Sequence, residues 1–239
     1  LKELIESYTA EEYQIDTAYR KFITNLDQME DTAVFEKLSD LLENIYRTDY
    51  LEKLVYAWNE AYAENAMHYV ITEQSRFYTR KVSTVKEKVA VIVSDAFRYE
   101  AAKELCGQFR EDPNMEASIE PMLTALPSIT MIGMAELLPH DTITMTDGKA
   151  PQVLADGNPT SSTAYREKIL QARNRNAVAI DYDSLKQMKS KELRAFTAGK
   201  EAIYIYHNRI DTTGEAMKTE NSVFDATAKT IDEIFGIVR

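Results

Sequence analysis

A chain of 239 residues with 44% hydrophobic side chains can bury a sizeable core, and that composition excludes a wholly disordered segment. Its net charge of −11, from 39 acidic against 28 basic residues, argues against a general nucleic-acid coat, which needs basic contacts to phosphates, though a local basic groove stays open. One cysteine, Cys106, builds neither a disulfide framework nor a thiolate metal site, which suits a reducing, cytoplasmic compartment. No apolar run approaches the roughly 20 residues needed to span a bilayer.

The chain starts at Leu1 inside a helical pattern and stops at Arg239 on another, so it reads as a piece of a longer protein. From Leu1 to Thr79 there is neither proline nor glycine, and apolar residues recur at helical spacing: Leu4, Ile5, Tyr8; then Tyr19, Phe22, Ile23, Leu26; then Phe35, Leu38, Leu41, Leu42, Ile45. Short polar residues at Thr9, Asp31 and Thr48 predict helix starts there. Residues 1–80 are therefore expected to form a helical segment with a supporting or docking role. Tyr56, Trp58 and Tyr62 could form a binding face, but their spacing favours packing. His68 is expected on the surface of that bundle.

From Lys88 the texture changes. Val89–Val93 is a continuous apolar, β-branched run, expected as a strand covered on both faces. Tyr99 to Phe109 predicts a helix with Ala101, Ala102, Leu105 and Phe109 inward, and Ala117 to Leu123 a second strand. Ile129 to Leu138 is a helix closed by Pro139. Thr142–Met145 and Val153–Leu154 predict a hairpin around Asp147 and Gly148. Ala164–Arg173 is a helix, Ala177–Asp181 a strand, Leu185–Phe196 one or two helices, Ala202–Tyr206 a strand and Val223–Val238 a closing helix. Alternation of this kind predicts an α/β fold, a mostly parallel sheet flanked by helices and preceded by the helical segment.

Ligands collect beyond the carboxyl ends of strands in such sheets, and three stretches place chemistry there. Asp95 follows the first strand directly and can offer a hard oxygen to a divalent cation; the competing role is capping the helix that starts near Phe97. Ser128 and Thr130 lie in a turn entering a helix, where a hydroxyl could serve as nucleophile; the plainer reading makes Ser128 an N-cap and Thr130 a filler. His207, Asp211 and Glu215 bracket the last strand's end and carry atoms suited to zinc or manganese, or else form a polar loop around a satisfied histidine. His140 reads as a loop residue, and Gly133 inside a helix hints at close approach by a neighbour. Walker and dinucleotide fingerprints are absent.

Four segments, Gln74–Tyr78, Val91–Glu100, Leu126–His140 and Tyr204–Glu215, together resemble the PglZ family, in particular the type A phosphatase-like proteins of bacterial BREX phage-exclusion systems. The resemblance implies an alkaline phosphatase-like domain over residues 86–239, C-terminally incomplete, in which a pair of divalent metals, usually zinc, activates a serine or threonine. It implies Asp95 as the first metal-binding aspartate, Thr130 as nucleophile and Asp211 as the aspartate of an Asp-x-x-Gly-His pattern. Glu215 stands in that pattern's last position, so the glutamate is a ligand, or His207 supplies the imidazole, or the second metal is weakly held. The family's later Asp-His pair and final histidine have no counterpart before Arg239, so this stretch is expected to be inactive or nearly so by itself. Two functions follow from the resemblance: a metal-dependent phosphatase or phosphodiesterase, with a phosphate ester or nucleic acid as the candidate substrates, or a non-catalytic scaffold docking other phage-defence proteins. No membrane partner is expected.

Overall fold

The computed structural model describes residues 1–29, 35–65, 71–215 and 222–239; His68 and the helix start expected at Asp31 lie outside the described residues. In chain order the elements are α1 (Lys2–Ser7), α2 (Tyr13–Asp27), α3 (Glu36–Asn44), α4 (Glu52–Asn65), β1 (Thr72–Glu73), β2 (Val89–Ser94), α5 (Tyr99–Glu111), β3 (Met122–Leu123), α6 (Thr130–Glu136) and β4 (Ile143–Met145). There follow β5 (Val153–Ala155), β6 (Asn158–Pro159), α7 (Thr163–Arg173), β7 (Ala177–Asp181), α8 (Tyr182–Gln187), α9 (Ser190–Thr197), β8 (Ala202–His207), α10 (Arg209–Glu215) and α11 (Val223–Val238). These form two compact units that do not follow chain order. One comprises Leu1–Val70, Phe97–Pro121 and Thr212–Arg239, and the other Ile71–Ala96 and Met122–Asp211.

The first unit is helical. The starts expected at Thr9 and Thr48 are instead π-helical turns, Tyr8–Glu12 joining α1 to α2 and Ile45–Leu51 joining α3 to α4. The physical reason is back-bonding: the Thr9 hydroxyl donates to the Ile5 carbonyl at 2.7 Å and the Thr48 hydroxyl to the Asn44 carbonyl at 2.7 Å, so neither is left to cap a new helix. Helices α2, α5 and α11 pack on one another, with the Phe109 and Phe235 rings 5.2 Å apart. Asp16 of α2 accepts hydrogen bonds from the Tyr8 and Tyr46 hydroxyls at 2.6 and 2.8 Å. Burial first, and then those bonds, push both phenols well above their ordinary range, so they stay neutral donors. On α5 the inward set is corrected: Glu100 and Cys106 join Ala101 and Leu105 in full burial, while Ala102 and Phe109 are only half-buried. The expectation of packing also fails for Tyr56, which is 65% exposed with its hydroxyl on Glu60; Trp58 and Tyr62 are half-buried.

Buried Glu100 is matched by Arg20 of α2, whose guanidinium grips the carboxylate at 2.8 and 2.9 Å and also reaches Glu104 at 2.7 Å. Burial pushes the Glu104 carboxyl up, but the hydrogen bonds from Arg20 and Lys21 outweigh it and hold the group below the ordinary carboxylate range. A folded-state value depressed in this way contributes stability that is complete above the ordinary range, about pH 4.3, and is lost as pH falls through the folded value. The urea midpoint of this unit, followed by the fluorescence of Trp58, should be flat from pH 7 to about 5 and decline below it. Glu104→Gln should blunt that decline; an unchanged slope would contradict the assignment.

The second unit holds a parallel sheet of order β2-β8-β7. Coverage on both faces belongs to β8, all six of whose residues are buried. On β2, an edge strand, only Val91 and Val93 are buried, which corrects the expectation for that run. Strand alternation sorts the side chains: Val91, Val93, Tyr204 and Tyr206 form one core with Met134 and Leu138 near α6 and with Ile169 and Leu170 of α7. Ser94 and His207 fall on the opposite face, toward Tyr182 of α8. The strand expected over Ala117–Leu123 shrinks to Met122–Leu123, paired parallel with Thr72–Glu73. Pro121 has no N–H for a ladder and stops the strand there. The hairpin forms as expected between β4 and β5, with Gly148 at φ +126°, and β6 extends it to three antiparallel strands. Mixed α/β architecture with a parallel sheet and flanking helices is thus the observed fold class.

Candidate functional site

In-register pairing of β2 with β8 brings two candidates to one edge. Ser94 lies opposite His207, and the Asp95 N–H donates to the His207 carbonyl at 3.0 Å. The next residue, Ala96, takes φ +58°, a left-handed conformation that costs a non-glycine residue about 1–2 kcal/mol. That turn folds the Asp95 carboxylate back so that Oδ1 accepts the Ala96 N–H at 3.0 Å, while Oδ2 is fully buried with no hydrogen-bond partner among the described residues. Capping does not explain it, because α5 begins at Tyr99 with Arg98 as its N-cap residue. An orphaned carboxylate oxygen is the atom a hard cation would satisfy.

His207 closes β8 on the face that carries Ser94. Its ring is 1% exposed, with Nδ1 3.4 Å from the Ser94 hydroxyl and the Tyr182 ring 4.7 Å away. Alternation along β8 therefore separates the imidazole from the side shared by Val93 and Tyr206. The polar loop expected after this strand is the short helix α10, with half-buried Asp211 in its first turn and exposed Glu215 at its end. The boundary between the compact units passes between those two residues. Among the described residues, no three histidine, cysteine, aspartate or glutamate side chains gather within reach of one metal ion.

Thr130 is the first residue of α6 and is exposed; its N-cap position is Ile129, and no side chain caps the helix. Ser128 is exposed too and stands one residue before the cap, so the reading of Ser128 as an N-cap is corrected: the Ile129 N–H turns back onto the Pro127 carbonyl at 2.8 Å and draws the cap position one residue on. His140 is held locally through one ring nitrogen. Its Nδ1 lies 2.8 Å from the Leu138 carbonyl and so carries the hydrogen, while Nε2 faces Glu136 at 3.4 Å.

Sequence reasoning missed Arg166 of α7. The Arg166 Nε–H donates to the Thr160 carbonyl at 2.7 Å, and its guanidinium lies 4.5 Å over the Tyr206 ring. Burial raises the Tyr206 phenol far above its ordinary value, with Arg166 pulling the other way, so Tyr206 cannot serve as a base near neutrality. A cation in the first turn of a helix is unremarkable in a sequence, and nothing in the spacing flagged it.

The sequence profile of the BREX system PglZ alkaline phosphatase-like domain matches residues 77–239. The chain is 37% identical over 243 residues to the alkaline phosphatase-like protein PglZ of Bacillus cereus (strain H3081.97), which covers 99% of this chain and 28% of that protein. It is 34% identical over 245 residues to the alkaline phosphatase-like protein BrxZ of Escherichia coli O9:H4 (strain HS), covering 98% of this chain and 28% of that protein. The chain thus spans little more than a quarter of the length of these curated relatives. No solved structure matches significantly.

Proposed function

We propose, on the premise that this chain belongs to the PglZ family, the alkaline phosphatase-like domains of BREX systems, that it contributes the nucleophile and part of the metal site of a phosphoric ester hydrolase. The observation that carries this reading is the buried, partnerless Oδ2 of Asp95, held by a left-handed residue at a strand's carboxyl end. Asp95, just past β2, and Asp211, in the first turn of α10 after β8, would hold a divalent cation, zinc in the first place and manganese as the alternative. When bound, such a cation supplies positive charge to the phosphoryl oxygens and eases loss of a proton from the nucleophile. His207, whose Nδ1 lies 3.4 Å from the Ser94 hydroxyl, and Glu215 are the remaining candidate ligands. Thr130 offers its exposed hydroxyl to phosphorus, and the bond to the leaving oxygen breaks as the new one forms. The substrate class is a phosphate ester. The acidic net charge argues against one gripped along a long nucleic-acid backbone.

The test compares wild type with Asp95→Asn by thermal unfolding, with and without zinc or manganese. Replacing a half-buried carboxylate whose Oδ2 has no partner among the described residues should stabilise the metal-free variant by about 1–2 kcal/mol. Metal should raise only the wild type, by linkage, so that the order inverts. A variant that is less stable without metal, with an undiminished response to it, would refute the reading.

A docking role for the helical unit is the second reading, supported by Leu38, Leu41 and Ile45, which are 43%, 54% and 43% exposed along one stretch of α3 and the turn after it. The two readings are compatible in one protein.

A further inference from the structure

We propose that Gln74 is a positioning residue for the loop that carries Thr130, an assignment that rests on the reading of Thr130 as nucleophile. That loop has little else to hold it: Leu126, Ile129 and Met131 are 61%, 43% and 41% exposed, so core packing does not fix its course. Gln74 is 9% exposed and makes one hydrogen bond to each root of the loop. Its Oε1 accepts the Ala125 N–H at 3.4 Å, and its Nε2–H donates to the Gly133 carbonyl at 3.2 Å. The requirement for one donor and one acceptor sets the amide's orientation and makes glutamine the fitting residue. A glutamate would keep the first bond and set an oxygen against the Gly133 carbonyl.

Local structure places the clamp. Gln74 opens the 3-10 turn Gln74–Arg76 immediately after β1, and β1 pairs in parallel with β3, Thr72 with Met122 and Glu73 with Leu123, so the amide reaches the chain just past β3. Gly133 marks how closely the amide approaches the first turn of α6: a Cβ there would be in van der Waals contact with it, 3.4 Å from Nε2 and 4.0 Å from Oε1 of Gln74. Thr130 sits three residues before that contact and five after Ala125. One side chain therefore spans the segment whose hydroxyl must be placed to a fraction of an ångström, where a misplacement of about 1 Å costs on the order of 10²-fold in rate.

The test uses a longer protein containing this domain, with zinc and bis(4-nitrophenyl) phosphate, and compares Gln74→Met with Gln74→Ala. Methionine refills the volume without either hydrogen bond. Both variants should lose roughly 10- to 100-fold in kcat with KM little changed, and Gln74→Met should keep the wild-type melting temperature. Full kcat in Gln74→Met would mean that Gln74 only fills space and would overturn the proposal. Hydrogen exchange supplies a second readout independent of turnover. In Gln74→Met the amides from Ile129 to Gly133 should exchange at least about tenfold faster while those of β2 and β8 do not change. Unchanged exchange in the loop overturns the clamp whatever the activity. If instead Thr130→Ala retains full turnover, the nucleophile reading has failed, and the exchange result still decides whether Gln74 holds the loop.

Discussion

Replacing Arg20 by alanine should destabilise the helical unit by about 3–5 kcal/mol, the cost expected when one partner of a buried ion pair is removed and the other is left charged in a dry site. Arg20 is 4% exposed and Glu100 2%, and the pair is forked, with Nε and Nη2 on the two carboxylate oxygens at 2.8 and 2.9 Å. Thr17 adds a hydrogen bond to the same carboxylate at 3.3 Å, so its remaining capacity is met from within α2. The attraction between two desolvated charges is offset by the cost of desolvating them, so the pair's net contribution is small even though breaking it is expensive. Hence the companion expectation: the double change Arg20→Met with Glu100→Leu, which replaces both charges by apolar groups of similar volume, should lie within about 1 kcal/mol of wild type. Urea unfolding followed through Trp58, the sole tryptophan, reports on this unit. A single variant costing under about 1 kcal/mol would show that water reaches Glu100.

Local pattern was readable wherever one segment decides its own structure. Val89–Val93 and Ala202–Tyr206 became paired strands because β-branched and aromatic runs of that length have few alternatives, and β4 and β5 paired as a hairpin across the connection that holds Asp147 and Gly148. Long-range facts were not readable. Glu100 looked like an ordinary first-turn acid, and only the fold brings Arg20, eighty positions earlier, onto it. Which strand becomes central is likewise a property of the sheet order, so Val89–Val93 could not announce that it would be an edge. At the site, the position of Asp95 just past its strand was legible, but its partnerless oxygen was not. His207 shows a different limit: its chemistry and its place at a strand end suggested a ligand, and the two-residue period of β8, counted against Tyr206, puts its ring on the face that carries Ser94. That count was available in the sequence. Thr9 and Thr48 misled because a hydroxyl that caps a helix and one that bonds back inside it look alike until the carbonyl partner is known.

Thr130→Ala should abolish phosphoester turnover, by roughly 10³-fold or more, while leaving the fold intact, because the proposed role uses an atom that the structure itself does not need. Thr130 is exposed at the first position of α6, caps nothing, and among the described residues its hydroxyl has no hydrogen-bond partner. Alanine is the better helix former, so the melting temperature should stay level or rise slightly. Ser128 provides the internal control: two residues away, also exposed and not the cap residue, it should tolerate alanine with less than about a threefold change in rate. Thr130→Ser keeps an oxygen at the same Cβ and should retain activity to within about tenfold, which a role in packing through the threonine methyl would not allow. The three variants are measured together in a longer protein of this family, with zinc or manganese and an aryl phosphodiester, and in cells by phage exclusion. Full exclusion by Thr130→Ala, with wild-type folding, would transfer the function of this domain from chemistry to docking and direct attention to the exposed leucines of α3.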